Sequence, residues 1–167
     1  GAGNDIITIG GGTDSISGGL GDDVIKIADS ADIAATETVA GGDGADTLWI
    51  TAADTLLDAS LTLATSIETI KGPAAAALTF SADNLASDAG VTAITGGTAA
   101  DIITLGANFT NDVTVTLGST TADNIVDTVD ASAYTGVLTV VAVGVALGDT
   151  SADIITGSTK LTDVLSF

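Results

Sequence analysis

Over the first 49 residues, apolar side chains recur in step with glycines and aspartates at a nine-residue interval. Ile7, Ile16, Ile25 and Leu48 each stand two positions after an aspartate, in the frame Gly-x-Gly-x-Asp-x-apolar. The copies are Gly1, Gly3 and Asp5; Gly10, Gly12 and Asp14; Gly19, Gly21 and Asp23; and Gly42, Gly44 and Asp46. A decayed copy keeps Asp32 in phase but carries Ala28 and Ser30 where glycine is expected. From residue 50 the strict period is lost. Short alternating segments rich in β-branched residues continue, and they predict strands at Thr69-Ile70, Leu78–Phe80, Ile102–Leu105, Val113–Leu117 and Val137–Val141. Three turns in this half end Ala-Asp-x-Ile, at Asp101, Asp123 and Asp153, without the inner glycine. One helical turn is expected over Ser81–Ala89, with Ser81 as N-cap and Gly90 as its stop. Pro73 marks a loop.

A fixed short period of this kind predicts a coil in which each repeat is one strand and one turn. Two nonapeptides make one turn of a flattened coil, with a loop at each edge, and loops on one edge stack at the inter-strand spacing of about 4.8 Å. Glycine permits the tight turns. Those turns aim backbone carbonyls at one spot, the aspartate adds a carboxylate, and the apolar residue points inward. Stacked carboxylates repel by about 1–3 kcal/mol at that spacing, and a divalent cation between loops reverses the sign. Oxygen-only ligands on flexible loops suit Ca²⁺ better than Mg²⁺. The expected fold is therefore all-β, a parallel β-roll over 1–49 continuing into a less regular parallel β-solenoid over 50–167.

Composition sharpens this. Twenty Asp and two Glu face three Lys, and the net charge is −19 over 167 residues. A surface of that sign repels nucleic acid and anionic membrane and attracts cations. His and Cys are absent, which removes the usual base at neutral pH, thiol nucleophiles, disulfides and the preferred zinc ligands. A non-enzymatic chain stapled by a hard metal fits that inventory. The glycine clusters at Gly10–Gly12 and Gly18–Gly21 lack the Lys-Ser/Thr of a phosphate cradle, and Asp22 and Asp23 would repel phosphate. Carboxylate pairs such as Asp22 and Asp23, or Asp127 and Asp130, arise by chance on so acidic a surface. Threonine-rich strands read as ordinary solvent-facing β-surface, and Trp49 and Tyr134 as core or strand-end packing. The N-terminal residues show no basic segment followed by an apolar run, and no apolar stretch is long enough to span a bilayer as a helix.

The nonapeptides resemble those of the RTX proteins, and phrases such as Ser66-Ile-Glu-Thr-Ile-Lys-Gly72 and Asp130–Leu138 look like bacterial surface-layer proteins and large adhesins that carry RTX repeats. The resemblance implies type I secretion to the cell exterior, several Ca²⁺ ions, and copies of the chain itself, with cell-surface polysaccharide, as partners. It implies ligands at Gly1, Gly3, Asp5, Gly10, Gly12, Asp14, Gly19, Gly21, Asp23, Gly42, Gly44 and Asp46, a carboxylate alone at Asp32, and matches of the aspartate only at Asp101, Asp123 and Asp153. The implied role is a structural repeat of a surface layer or filament. Alternatives are the stalk of a large adhesin or the C-terminal roll of a secreted enzyme. Head-to-tail joining would place Asp163 and Asp5 nine apart, in register for a tandem array.

Overall fold

The computed structural model describes residues 1–33, 36–118, 125–143, 153–157 and 164–166. Sixteen short strands run along the described chain: β1 (Ile6–Thr8), β2 (Ser15–Leu20), β3 (Val24–Ile27), β4 (Thr38–Asp43), β5 (Thr47–Ile50), β6 (Asp54–Leu57), β7 (Ala64–Thr65), β8 (Thr69–Lys71), β9 (Leu78–Ala82), β10 (Ala93–Thr95), β11 (Ile102–Leu105), β12 (Val113–Gly118), β13 (Thr128–Asp130), β14 (Leu138–Val143), β15 (Ile154–Thr156) and β16 (Val164–Ser166). Among the described residues all strand pairings are parallel, and none joins neighbours in sequence. That arrangement is a β-solenoid: each circuit of the chain lays one new strand on the largest sheet, and the other faces are built by only some of the circuits. One face is the eight-stranded sheet β1-β3-β5-β8-β10-β12-β14-β16, the second is β6-β9-β11-β13-β15, and the third is the short sheet β2-β4-β7.

The nonapeptide sets the first circuit. Asp5 and Asp23, 18 residues apart, occupy equivalent places on successive coils, so two nonapeptides close one turn. The second circuit takes 23 residues. The extra residues form a 3₁₀ turn at Ser30–Ile33, and β6 then opens the second face. Loss of the strict period after residue 50 thus reflects a longer, three-sided coil. The main sheet does not register the change, because β5 spans the boundary and pairs with β3 on one side and β8 on the other.

Period-2 alternation fills the interior. Ile25, Leu48, Ile70, Ile94, Val115 and Val140 are register partners along the eight-stranded sheet, and all are buried. Leu56, Phe80, Ile103 and Val129 form a second buried row on the opposing face. Each such side chain contributes about 1.5–3 kcal/mol of burial, and stacking like on like lets a period specify a core with few aromatics. Tyr134 is buried against Phe109, ring centroids 5.7 Å apart, and its hydroxyl donates to the Asn111 carbonyl. Trp49 differs from the expectation of core packing. It lies half-buried on the outer face of β5, between the ammonium groups of Lys26 (4.6 Å from the ring centroid) and Lys71 (4.3 Å) on the two flanking strands.

The helix α1 spans Asn84–Ala89 and ends at Gly90 in the left-handed conformation, as the glycine stop predicts. It starts later than expected, because Ser81 belongs to β9 and Asp83 takes the cap position. Asp83 makes no side-chain cap bond. The carboxylate of Asp58, one coil earlier, accepts instead from the amides of Leu85 (3.2 Å) and Ala86 (2.8 Å). A cap supplied by the neighbouring coil has no local signature.

Candidate metal centre

Every strand of the two larger sheets begins at a corner, and an acidic residue stands immediately before many of them. At the corner leading into the eight-stranded sheet, Asp5, Asp23, Asp46 and Glu68 follow one another on successive coils. Each later carboxylate accepts the backbone amide of the acid on the coil before: Asp5 N–H to Asp23 Oδ1 (2.7 Å), Asp23 N–H to Asp46 Oδ1 (2.7 Å) and Asp46 N–H to Glu68 Oε2 (2.7 Å). Asp22 forms a parallel outer ladder, accepting from Ala45 while its own amide donates to Asn4 Oδ1, both at 2.9 Å.

The glycines complete this corner. Gly19 and Gly42 both have φ of 119°. A Cβ on Gly42 would run into the Gly19 carbonyl oxygen, and one on Gly19 into that of Gly1. Gly44 and Gly21 bear the same relation to Gly21 and Gly3. The predicted sets Gly1, Gly3, Asp5; Gly19, Gly21, Asp23; and Gly42, Gly44, Asp46 are therefore stacked loop on loop, each glycine carbonyl lying against the glycine one coil on. The glycine that opens each loop has its own task. A Cβ at Gly18 or Gly41 would collide with the carboxylate of Asp23 or Asp46, which folds back over it.

Two of these carboxylates are half satisfied. Asp23 and Asp46 are wholly buried, and the Oδ2 of each has no hydrogen-bond partner. Burial pushes the Asp46 carboxyl above its ordinary value, against the Asp23 amide bond that lowers it, and Glu68, Asp23 and Asp22 add like charge. Among the described residues no three acidic side chains converge on one point. A cation here would take carboxylates from successive coils and complete its shell with the stacked main-chain carbonyls.

Asp101, Asp127 and Asp153 form a different column, at the corner leading into the second sheet. Leu78 donates to Asp101 Oδ1 (2.7 Å), Asp101 to Asp127 Oδ1 (2.7 Å) and Asp127 to Asp153 Oδ1 (3.1 Å). Asp101 is buried and its second oxygen accepts from the Gly97 amide (2.8 Å), so both its oxygens are bonded. Desolvation still raises its pKa, opposed by the Leu78 and Gly97 bonds. The column member between Asp101 and Asp153 is Asp127; Asp123 and the C-terminal register at Asp163 lie outside the described residues.

The remaining predicted residues are not gathered with the first corner. Asp14 lies on the far side of the first coil, and Gly10 and Gly12 are exposed with no atom within 4 Å of where a Cβ would stand. Asp32 leaves the ladder altogether. It sits in the 3₁₀ turn and accepts from Ala28 in its own loop (2.8 Å). The five residues inserted in that circuit displace it, and Glu37 takes the place opposite Asp14, since Ser15 is registered with Thr38. Glu68, Asp127 and Glu37 were missed because they lack glycine frames. The usable signal was smaller: an acid followed two residues later by an inward apolar residue, as in Asp46-Thr-Leu, Glu68-Thr-Ile and Asp127-Thr-Val.

Comparison of the chain with protein-family models, with curated proteins and with solved structures finds no match to any of the three.

Proposed function

We propose that this chain is a calcium-stabilised structural repeat of an extracellular surface layer or filament, of the RTX type, which assembles with copies of itself and performs no catalysis. The observation that carries the reading is the pair of buried carboxylates, Asp23 and Asp46, each with an oxygen that no donor reaches. An unpaired buried charge is costly. The neighbouring groups, carbonyls of stacked glycines and carboxylates of adjacent coils, are all oxygen ligands suited to a hard cation. Gly1, Gly3, Gly19, Gly21, Gly42 and Gly44 would offer carbonyls, and Asp5, Asp23 and Asp46, with Glu68, carboxylates. Bound there, Ca²⁺ neutralises the ladder and locks coil to coil. A solenoid is suited to a load-bearing role, because each coil contacts only its neighbours and stacks indefinitely.

At extracellular-type affinities of about 0.1–1 mM the ion would be absent in the cytosol and present outside, so the chain would stay loose until exported. Circular dichroism and urea unfolding under a calcium titration, with Mg²⁺ as control, test this. The expected result is a calcium-specific rise in the unfolding midpoint. An unfolding curve indifferent to calcium and chelator would overturn the reading.

A further inference from the structure

The outer face of the eight-stranded sheet differs in charge from the rest of the molecule. On β1, β3, β5, β8, β10, β12 and β14, alternation leaves two outward rows, one running from Ile6 to Thr139 and the other from Thr8 to Val141. Threonines and aliphatic residues fill them, apart from Lys26, Trp49 and Lys71, which stand side by side in the second row. Neither row holds an acid, although 22 of the 167 residues are acidic. The indole lies between the two ammonium groups, 4.6 and 4.3 Å from its centroid, and holds them in place. Among the described residues neither lysine is within ion-pair distance of a carboxylate. Acids gather instead along the edge where the strands begin. Asp5, Asp23, Asp46, Glu68 and Asp112 each immediately precede a strand of this sheet, and Asp22 and Asp112 are exposed there. The lysine row is the row farther from that edge, so the charge changes sign across the width of the sheet.

Copies of a chain with a net charge of −19 repel one another over most of their surface. On this face they meet without opposing carboxylates. Laid face to face with strands parallel, two copies would set lysine row against lysine row. With strands antiparallel, the lysine row of each lies over the acidic edge of the other. We infer that two copies of this chain pair side by side through this face, related by a two-fold axis that runs along the coil. Each coil then meets its own counterpart, which brings Lys26 to the height of the other copy's Asp22 and Lys71 to that of its Glu68. The inference rests on the self-assembly part of the reading above, and it makes the contact lateral rather than end to end. The seven strands offer about 30 Å by 10 Å of face, or about 300 Å². A stable interface takes about 800 Å² from each partner. One pair is therefore weak, and the contact gains strength where it repeats along an array.

The test is sedimentation equilibrium of the full chain in calcium, at concentrations up to about 1 mM, where a weak interface is read. Wild type is compared with Thr116→Glu, which places a carboxylate in the second outward row, and with Lys71→Gln. Thr55→Glu adds the same unit of negative charge on the exposed side of β6 in the second sheet and controls for net charge. All three substitutions face outward, and circular dichroism checks that each variant folds. Wild type should form dimers, Thr116→Glu should remain monomeric, Lys71→Gln should pair about fivefold more weakly, and Thr55→Glu should pair as wild type does. Association unaffected by Thr116→Glu and Lys71→Gln would overturn this face and leave self-assembly through another contact. A wild type monomeric throughout would overturn both. A monomeric wild type that binds polygalacturonate, with Lys71→Gln failing to bind it, would assign the face to an acidic glycan instead.

Discussion

Replacing Asp46 by asparagine separates the two energies that meet at its carboxylate. The amide keeps an acceptor for the Asp23 N–H, 2.7 Å away, and removes the charge. Each neighbouring carboxylate at the coil spacing of about 4.8 Å costs about 1–3 kcal/mol in a dielectric between protein surface and water. Weakening a charge-assisted bond gives back about 1 kcal/mol. With Asp23 and Glu68 flanking it, Asp46→Asn should therefore be more stable than wild type in chelator by about 1–5 kcal/mol. Calcium changes the balance. One ion at about 10 mM, bound with a Kd of about 0.1–1 mM, stabilises the native state by about 1.4–2.7 kcal/mol through mass action. The variant forfeits that increment, so its advantage over wild type should shrink in calcium by about 1.4–2.7 kcal/mol. Urea unfolding followed by circular dichroism, run on both chains with chelator and with calcium, measures all four values. A variant destabilised to the same extent in both conditions would show that the carboxylate is a backbone staple and would refute the reasoning.

Asp101→Asn should behave as a staple of that kind. It loses one of the two amide bonds, from Leu78 or Gly97, and about 1–3 kcal/mol of stability regardless of calcium, by the same urea assay. Gly42→Ala meets both a φ of 119° and the Gly19 carbonyl. It should cost about 2–5 kcal/mol and abolish calcium-induced folding. Asp58→Ala removes the cap from α1, and hydrogen exchange should accelerate at Leu85 and Ala86 by about 5-fold or more, for about 1 kcal/mol of lost capping. Metal-free stability should rise as pH falls. Asp46 and Asp101 have folded pKa values raised above 3.8, so the native state binds protons more readily than the unfolded chain. Their favourable contribution is complete below 3.8 and lost as pH rises through the raised values. Asp130, lowered by Ser132, acts in the opposite sense. Midpoints that fall steadily on acidification in chelator would contradict the assignment.

The nine-residue period made the glycines and aspartates of the first corner legible, though not Glu68, because one short sequence had to satisfy turn, ladder and core at once. Gly42, Asp46 and Leu48 each carry one of those duties. The strands beyond residue 50 were legible from alternation alone, and Ile102–Leu105 begins and ends where the pattern says. What escaped depended on coil length. Asp32 was in phase by counting, yet the circuit holding it is 23 residues, not 18, and the surplus moved Asp32 out and Glu37 in. The second column escaped for a related reason. Only the short Asp-Thr-Val step, without glycines, sets Asp127 apart from the chance acids of so charged a surface, and its partner lies 26 residues away. The cap on α1 comes from Asp58, 28 residues before the amide it serves.

Trp49 gives this architecture a built-in optical probe. It is the sole tryptophan, three residues beyond Asp46, with its ring between ammonium groups from the coils on either side. Its emission is therefore sensitive to the separation of three consecutive coils. If chelation loosens only the nonapeptide corner, the indole will lose its flanking cations while Tyr134, deep in the later coils, stays as it was. Partial uncoiling from one end and all-at-once melting would then be told apart in a cuvette, without any label.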